Sequence, residues 1–508
     1  MKDYFAKGLF GRDLLGSVVV FLVALPLCMG VAIASGMPPA AGLITGIVGG
    51  ILVGAIAGSP LQVSGPAAGL AVLVFELVRQ HGAEALGPVI VIAGVIQFIA
   101  GLCRAGVWFR MVAPAVVAGM LSGIGILIVA SQLHVLMDAE PLARGLENFA
   151  ALPGALWEAV TGEGTGVAAL AVGLATIGIM LAWDKLRPAK LKFLPGALLA
   201  VVGVTAAVQF GGIAVNLVDV PSNLLSAIHL PDAEWLGMLI DPTLVLAGVT
   251  FAFIASAETL LSAAAVDRMH DGVRTNFNRE LGAQGVGNFV CGLLGALPMT
   301  GVIVRSAANV QAGSATRLAT MLHGSWLLVF AMLLPWLMRM TPVACLAGIL
   351  VYTGVKMVNL GQIRTLAQYG RGTAVVYVVT MLAIVATDLL TGVVIGFAAS
   401  LFRLALLSSR LDIGVKQSAE NEVALDLQGS ATFLKVPAMA RTLEQIPPGT
   451  QLTLNIDRLQ HVDQAYLELL KEWARGAKAK GSELVVDWHL LQQRCEGARP
   501  QPREAALA

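Results

Sequence analysis

The chain has 508 residues, of which 57% are hydrophobic and only 13% charged, with a formal net charge of +1 at pH 7. Soluble domains carry about 25% charged residues, so a chain this apolar takes lipid as its solvent, and its 56 glycines suit close packing of membrane helices. The balanced charge lacks the basic footprint of a nucleic-acid partner, and the scattered Cys28, Cys103, Cys291, Cys345 and Cys495 offer neither a disulfide framework nor a zinc site.

The opening MKDYFAKGLFGRDLLG resembles the basic start of a signal peptide. The apolar run behind it contains Pro26, lacks a small-residue cleavage site and is followed by many equally apolar segments, so it reads as the first membrane helix. Fourteen apolar segments run at roughly 14–34, 38–57, 66–78, 86–103, 111–136, 166–183, 193–210, 243–266, 281–297, 304–314, 318–338, 343–357, 373–388 and 390–408. Most approach the ~20 residues that cross ~30 Å of hydrocarbon. Segments three and ten do not: thirteen residues from Pro66 to Val78 reach about 20 Å at ~1.5 Å each.

Asp184, Lys185, Arg187, Lys190 and Lys192 lie between segments six and seven, and Arg268, Arg274 and Arg279 follow segment eight. Asp138, Glu140, Glu147, Glu158 and Glu163, with only Arg144 against them, lie between five and six; Asp219, Asp232, Glu234 and Asp241 lie between seven and eight. The basic loops alternate with the acidic ones, which predicts that both termini are cytoplasmic. After Arg410 the composition turns polar. Residues 412–492 read as strand, helix, strand, helix, strand, with Glu422–Gln428, Val436–Gln445, Gln451–Ile456, Asp463–Lys480 and Glu483–Asp487 as the elements. The expected organisation is a membrane domain over 1–410, a small cytoplasmic α/β domain over 412–495 and a disordered tail over 496–508.

Segments three and ten hold the third place in each seven-segment half (about 10–211 and 242–410). Each opens with an extended stretch, Leu61–Ser64 and Val302–Val304, and then starts a helix, at Gly65-Pro66 and at Arg305-Ser306. Interrupted segments at matching places point to an inverted-repeat transporter with its site at mid-membrane. A helix start leaves N–H groups unpaired and carries about half a positive charge, so two such ends form an anion site. The competing reading makes Pro66 a simple kink and segment ten an interfacial stub.

Arg305 and Glu258 are charges inside the membrane segments, Glu258 in the middle of segment eight and Arg305 at the start of the second half-helix. Each costs about 2.5–3.5 kcal/mol or more at the bilayer centre, so such residues usually face a cavity. Arg305 serves either the anion or, as a structural partner, Glu258. Two helix ends plus Arg305 give roughly +2, or about +1 with Glu258 ionised. That suits a monovalent anion, or a divalent one when Glu258 binds a proton. His323 and Gln97 read as packed residues with a local hydrogen bond, and Glu76 and Lys356 as snorkelling to the interface. The sequence contains no nucleophile–base pair, phosphate loop or metal cluster, which speaks against an enzyme or a cofactor.

These residues resemble the SulP (sulfate permease) family over nearly the whole chain. The resemblance rests on Ala24-Leu25-Pro26, Gln62-Val63-Ser64-Gly65-Pro66-Ala67, Ser256-Ala257-Glu258-Thr259, Asn276 to Asn288, and Arg305-Ser306-Ala307-Ala308-Asn309 with Gly313 and Thr316. It implies an all-α membrane protein of fourteen segments in a seven-plus-seven inverted repeat, with core and gate domains, a STAS domain at the C-terminus and a homodimer in the bacterial plasma membrane. The core would carry its anion up and down against the gate. Met29 to Gly36, Ser59 to Leu70 and Phe433 to Thr450 are similar to the branch associated with carbonic anhydrases, which implies bicarbonate. Sulfate and a small dicarboxylate are the runners-up.

The implied anion site consists of Ser64, Gly65, Pro66, Ala67 and Ala68 with Val304, Arg305 and Ser306. Glu258 and Ser262, with Gly301, would take a coupling proton or sodium ion. Leu27 to Val31 replace the Gln and aromatic that many members carry in segment one, and Gly301-Val302-Ile303 lacks the hydroxyl of the sodium-coupled members. Asp463-Gln464-Ala465 lacks the phosphorylatable residue of many STAS domains. A nucleobase transporter shares this architecture, and Arg305 speaks against it; a membrane-embedded sensor is a third class.

Overall fold

The computed structural model describes residues 9–106, 113–142, 144–162, 164–188, 194–221, 223–419, 421–478 and 481–495. The tail expected to be disordered, and Lys190 and Lys192 of the basic loop, lie outside them.

Helix α1 (Leu9–Ala34) runs through Pro26 into α2 (Pro39–Ile56). A π-helical turn at Gly49–Val53 widens α2 where it meets the first broken segment. A Cβ on Gly49 would lie 2.6 Å from the Ser64 carbonyl oxygen, and one on Gly50 would lie 2.6 Å from the Gly324 Cα. Only glycine lets these backbones approach so closely.

Strand β1 (Ser64–Pro66) leads into the half-helix α3 (Ala68–His81), followed by α4 (Leu86–Leu102), α5 (Pro114–Leu136), α6 (Gly145–Thr161), α7 (Gly166–Leu186), α8 (Gly196–Gly211) and the short α9 (Ala233–Met238). The second half repeats the pattern with α10 (Pro242–Val266), α11 (Phe277–Leu293), β2 (Met299–Gly301), the half-helix α12 (Ile303–Gln311), α13 (Leu318–Leu333), α14 (Pro335–Arg339), α15 (Val343–Met357), α16 (Gly361–Gln368), α17 (Arg371–Ala386) and α18 (Leu389–Ser408). Among the described residues seven helices are long and apolar enough to cross a membrane, and four shorter apolar ones accompany them.

The packing sorts these helices into two groups. In one, α1–α4 and α10–α13 pack together, most closely α4 against α11. There a Cβ on Gly285 would lie 2.4 Å from the Phe98 nitrogen, and one on Gly94 2.4 Å from the Phe289 nitrogen. In the other, α5, α7, α8, α15 and α17 pack together, and α1 and α3 touch it. Small residues at the crossings allow the short interhelical distances that lipid solvent alone does not drive.

The structure departs from the elements expected from sequence in three places. The acidic stretch after segment five contains a helix, α6, in spite of Pro153 and two glutamates. Its buried edge (Gly145, Asn148, Ala159) packs on the protein, and Asn148 holds Leu142, accepting from its N–H at 2.9 Å and donating to its carbonyl at 2.7 Å. The apolar run 318–338 is two helices, divided at Pro335. The half-helices also start elsewhere than expected. Gly65-Pro66 belongs to a strand, and α3 begins at Ala68; α12 begins at Ile303, so Arg305 is its third residue rather than its first. Strand pairing, which joins residues distant in sequence, decides where extended chain ends.

The chain forms two compact units that divide at Phe397/Ala398, within α18. The C-terminal unit holds a sheet of β3 (Leu411–Ala419), β4 (Glu422–Ala431), β5 (Gln451–Asn455) and β7 (Glu483–Val485) in that order, with β6 (Leu459–Val462) also on β4. β3 is antiparallel to β4 and the other pairs are parallel. Helices α19 (Val436–Glu444), α20 (Gln464–Lys478) and α21 (Trp488–Cys495) complete it. Leu425, Leu427, Leu452, Leu454, Tyr466 and Leu470 form its core. Strands β3 and β6 and helix α21 are additions to the elements read from sequence.

Candidate functional site

The two broken segments meet. β1 and β2 pair antiparallel, Ser64 with Gly301, Gly65 with Thr300 and Pro66 with Met299. Val302 N–H extends the bridge to the Val63 carbonyl at 2.9 Å. From opposite ends of this bridge the chain turns into a helix in the same way: the N-cap residues are Ala67 (φ −98°, ψ 124°) and Val302 (φ −98°, ψ 114°), and neither has a side chain that caps the first turn. The first bonds back to these caps come from Leu70 in α3 and Ser306 in α12. The N–H groups of Ala68 and Gly69, and of Ile303, Val304 and Arg305, therefore precede any intrahelical acceptor.

Arg305 is 1% exposed, and its Nε and Nη1 have no hydrogen-bond partner. Its guanidinium lies against Gly65, where a Cβ would sit 2.2 Å from Nη1. The Cys28 thiol of α1 lies beside it. Glu258 of α10 lies over the start of α3, both carboxylate oxygens 2.9 Å from where a Gly69 Cβ would be, with Thr300 of β2 alongside. Its Oε2 is buried without a partner. No ion pair joins Arg305 to Glu258 among the described residues, so a direct bond between them does not hold the helices in register.

The other residues of the expected site serve differently. Ser64 Oγ accepts from Gln284 Nε2 at 2.6 Å; strand alternation puts it across β1 from the Gly65 face that carries the guanidinium. Pro66 has no N–H to donate. Ser306 is spent on the scaffold: its N–H donates to Val302 O at 3.0 Å, and its Oγ accepts from Val63 N–H at 2.9 Å. The Val304 side chain is 46% exposed, which leaves its backbone in the helix start. Ser262 is buried one turn beyond Glu258. The Gly301 N–H donates to Thr259 Oγ1 at 3.1 Å, and the Gln62 amide packs over the Gly301 Cα.

A polar stripe on α11 fastens both strands. Glu280 accepts from Gly58 and Ser59 N–H at 2.8 Å each, and from Gln284 Nε2 at 3.0 Å. Asn288 accepts from Met299 N–H at 2.7 Å and donates to Met299 O at 3.1 Å and to Gln97 Oε1 at 2.7 Å. Gln97 continues to Ser256 Oγ at 3.1 Å, a long-range network where a local bond was expected. Asn309 Nδ2 of α12 holds Leu61 O at 2.9 Å. The fourfold spacing of Glu280, Gln284 and Asn288 signals one helix face; Gln62, Thr259 and Thr300 give no comparable signal. Lys356, in the last turn of α15, pairs with Asp184. Among the described residues no group of three or more His, Cys, Asp or Glu is placed to hold a metal ion.

Two uncapped half-helices joined by a short strand bridge, inside a bundle of apolar helices, define a multi-pass membrane transport protein. Residues 10–380 match the model of the Sulfate permease family, and the chain belongs to that family of anion transporters. It is 29% identical to a putative sulfate transporter, YvdB, of Bacillus subtilis, over 76% of this chain and 72% of the relative. It is 28% identical to the bicarbonate transporter BicA of Synechocystis, over 93% of this chain and 87% of the relative. Among solved structures, the transmembrane domain of a cyanobacterium bicarbonate transporter BicA superposes with a TM-score of 0.62 at 26% identity, over 75% of this chain and 97% of that one. The fold is also that of SLC26A9, with a TM-score of 0.73 at 15% identity over 94% of this chain and 84% of that one.

Proposed function

We propose that the chain is a secondary active transporter of a small inorganic anion, bicarbonate first, working by elevator-type alternating access. The observation that carries this is the buried guanidinium of Arg305, its Nε and Nη1 unpartnered, beside two helix starts without side-chain caps. A cation left so in the membrane is costly; a small anion held by Arg305 and by the opening N–H groups of α3 and α12 offsets that cost. Roughly +2 from two helix ends and Arg305, reduced to about +1 by an ionised Glu258, matches a monovalent anion. The relative matched over 93% of this chain is named a bicarbonate transporter.

Sulfate or a fumarate-like dicarboxylate is the second reading, supported by the name of the Bacillus relative and by the charge that remains when Glu258 is protonated. Glu258, with Ser262 one turn on, is the coupling group, for a proton first and for a sodium ion as the alternative; its buried Oε2 has no hydrogen-bond partner. The group of α5, α7, α8, α15 and α17 is the gate against which the other group moves. We place the protein in the bacterial plasma membrane as a homodimer with both termini in the cytoplasm, and residues 412–495 as a STAS-like domain.

Uptake of radiolabelled bicarbonate, sulfate and fumarate into proteoliposomes, each alone and in competition, with proton or sodium gradients imposed, tests this. Bicarbonate uptake that sulfate inhibits only weakly is expected. Uptake of sulfate alone supports the second reading, and no uptake of any of the three contradicts both.

A further inference from the structure

A groove of about 640 Å³ opens between the end of α4 and the first turns of α11, and neither Arg305 nor Glu258 lines it. Its floor is formed where the helices touch through glycine: a Cβ on Gly101 would lie 2.6 Å from the Gly282 nitrogen. One end of its wall is hydrocarbon, with Phe98 and Leu102 exposed at 42% and 69% and Val286 opposite. At the other end stand Arg104, Arg279 and Asn278, and no acidic residue is among the described lining. Arg279 is fixed there because its Nε donates to Ile56 O at 2.9 Å.

Arg104 supplies a second observation. It ends α4 with φ +59°, one of two non-glycine residues with positive φ among those described. Glycine ordinarily takes that position after a helix. An arginine there strains the backbone, and such strain gathers at ligand clamps. The polarity of the groove, from exposed hydrocarbon to a mouth lined by two arginines, matches one molecule of the surrounding leaflet end to end.

We propose that this groove binds an anionic phospholipid, its phosphate between Arg104 and Arg279 and an acyl chain along Phe98, Leu102 and Val286. Charge complementarity selects an anionic headgroup over a zwitterionic one. The occupied groove clamps α4 to α11, the helix that holds both strands, so the lipid stabilises the folded protein.

The test is the Tm of the full-length, delipidated protein in detergent, titrated with phosphatidylglycerol, phosphatidylcholine or glycerol 3-phosphate. Phosphatidylglycerol is expected to raise Tm clearly more than phosphatidylcholine. Arg104→Gly, which relaxes the backbone while removing the cation, should start at or above the wild-type Tm yet lose most of that difference, and Arg279→Gln should lose it too. The proposal is overturned if the two lipids act equally, if both variants respond as wild type does, or if glycerol 3-phosphate alone reproduces the shift.

Discussion

The guanidinium of Arg305 rests on the α-carbon of Gly65, so closely that a methyl group there would lie 2.2 Å from Nη1. Gly65 is not among the glycines with positive φ, so its backbone accepts alanine and only the guanidinium must move. Gly65→Ala should therefore reach the membrane in normal amounts and transport with a raised KM. Displacing one charge-assisted hydrogen bond costs about 1.5–3 kcal/mol, which is about tenfold or more in anion affinity. Uptake measured against anion concentration checks this, and an unchanged KM would contradict it.

Glu258 stands in the same relation to Gly69, and its oxygens meet no cation among the ion pairs described. As the coupling group it must gain and lose a proton during the cycle. Glu258→Gln should give uptake that no longer responds to an imposed pH gradient, while exchange of anion for anion continues. A pH response equal to that of wild type would remove Glu258 from the coupling step.

Asn288 holds both backbone groups of Met299 and the Gln97 amide. Asn288→Leu leaves them buried without partners, at about 1–3 kcal/mol for each unsatisfied group. The Tm in detergent should fall by several degrees. KM for the anion should rise as β2 loses its anchor, even at temperatures where the variant stays folded.

In the C-terminal unit Tyr466 is fully buried, and its hydroxyl has no partner. Burial holds its phenol above its ordinary pKa. Removing an unsatisfied buried hydroxyl relieves a desolvation cost of about 1–3 kcal/mol. Tyr466→Phe should slow hydrogen exchange in α20 of the full-length protein; faster exchange would mean that the hydroxyl has a partner.

Much of the membrane fold is legible in the sequence because lipid demands long apolar runs, and each of the fourteen segments overlaps a helix. The two broken segments are legible for the same reason, being too short to span. Their starting residues are not: whether Gly65-Pro66 is strand or helix depends on Met299 and Thr300, far along the chain. α6 is hidden because Glu147, Glu158 and Pro153 interrupt its apolar pattern. At the candidate site, Arg305 and Glu258 stand out as charges in apolar surroundings. Ser64 looks like a hydroxyl ligand in sequence and Ser306 like a backbone donor, yet the Ser64 hydroxyl binds Gln284 and the Ser306 N–H bonds Val302 O, because small polar groups serve a scaffold as readily as an anion.

The most direct measurement is equilibrium binding of labelled bicarbonate and sulfate to purified wild type and to Arg305→Gln, both shown to be folded by their Tm. Weakening of about tenfold or more is predicted for whichever anion the wild type binds. An unchanged Kd in Arg305→Gln would contradict the placement of the anion between the two half-helices.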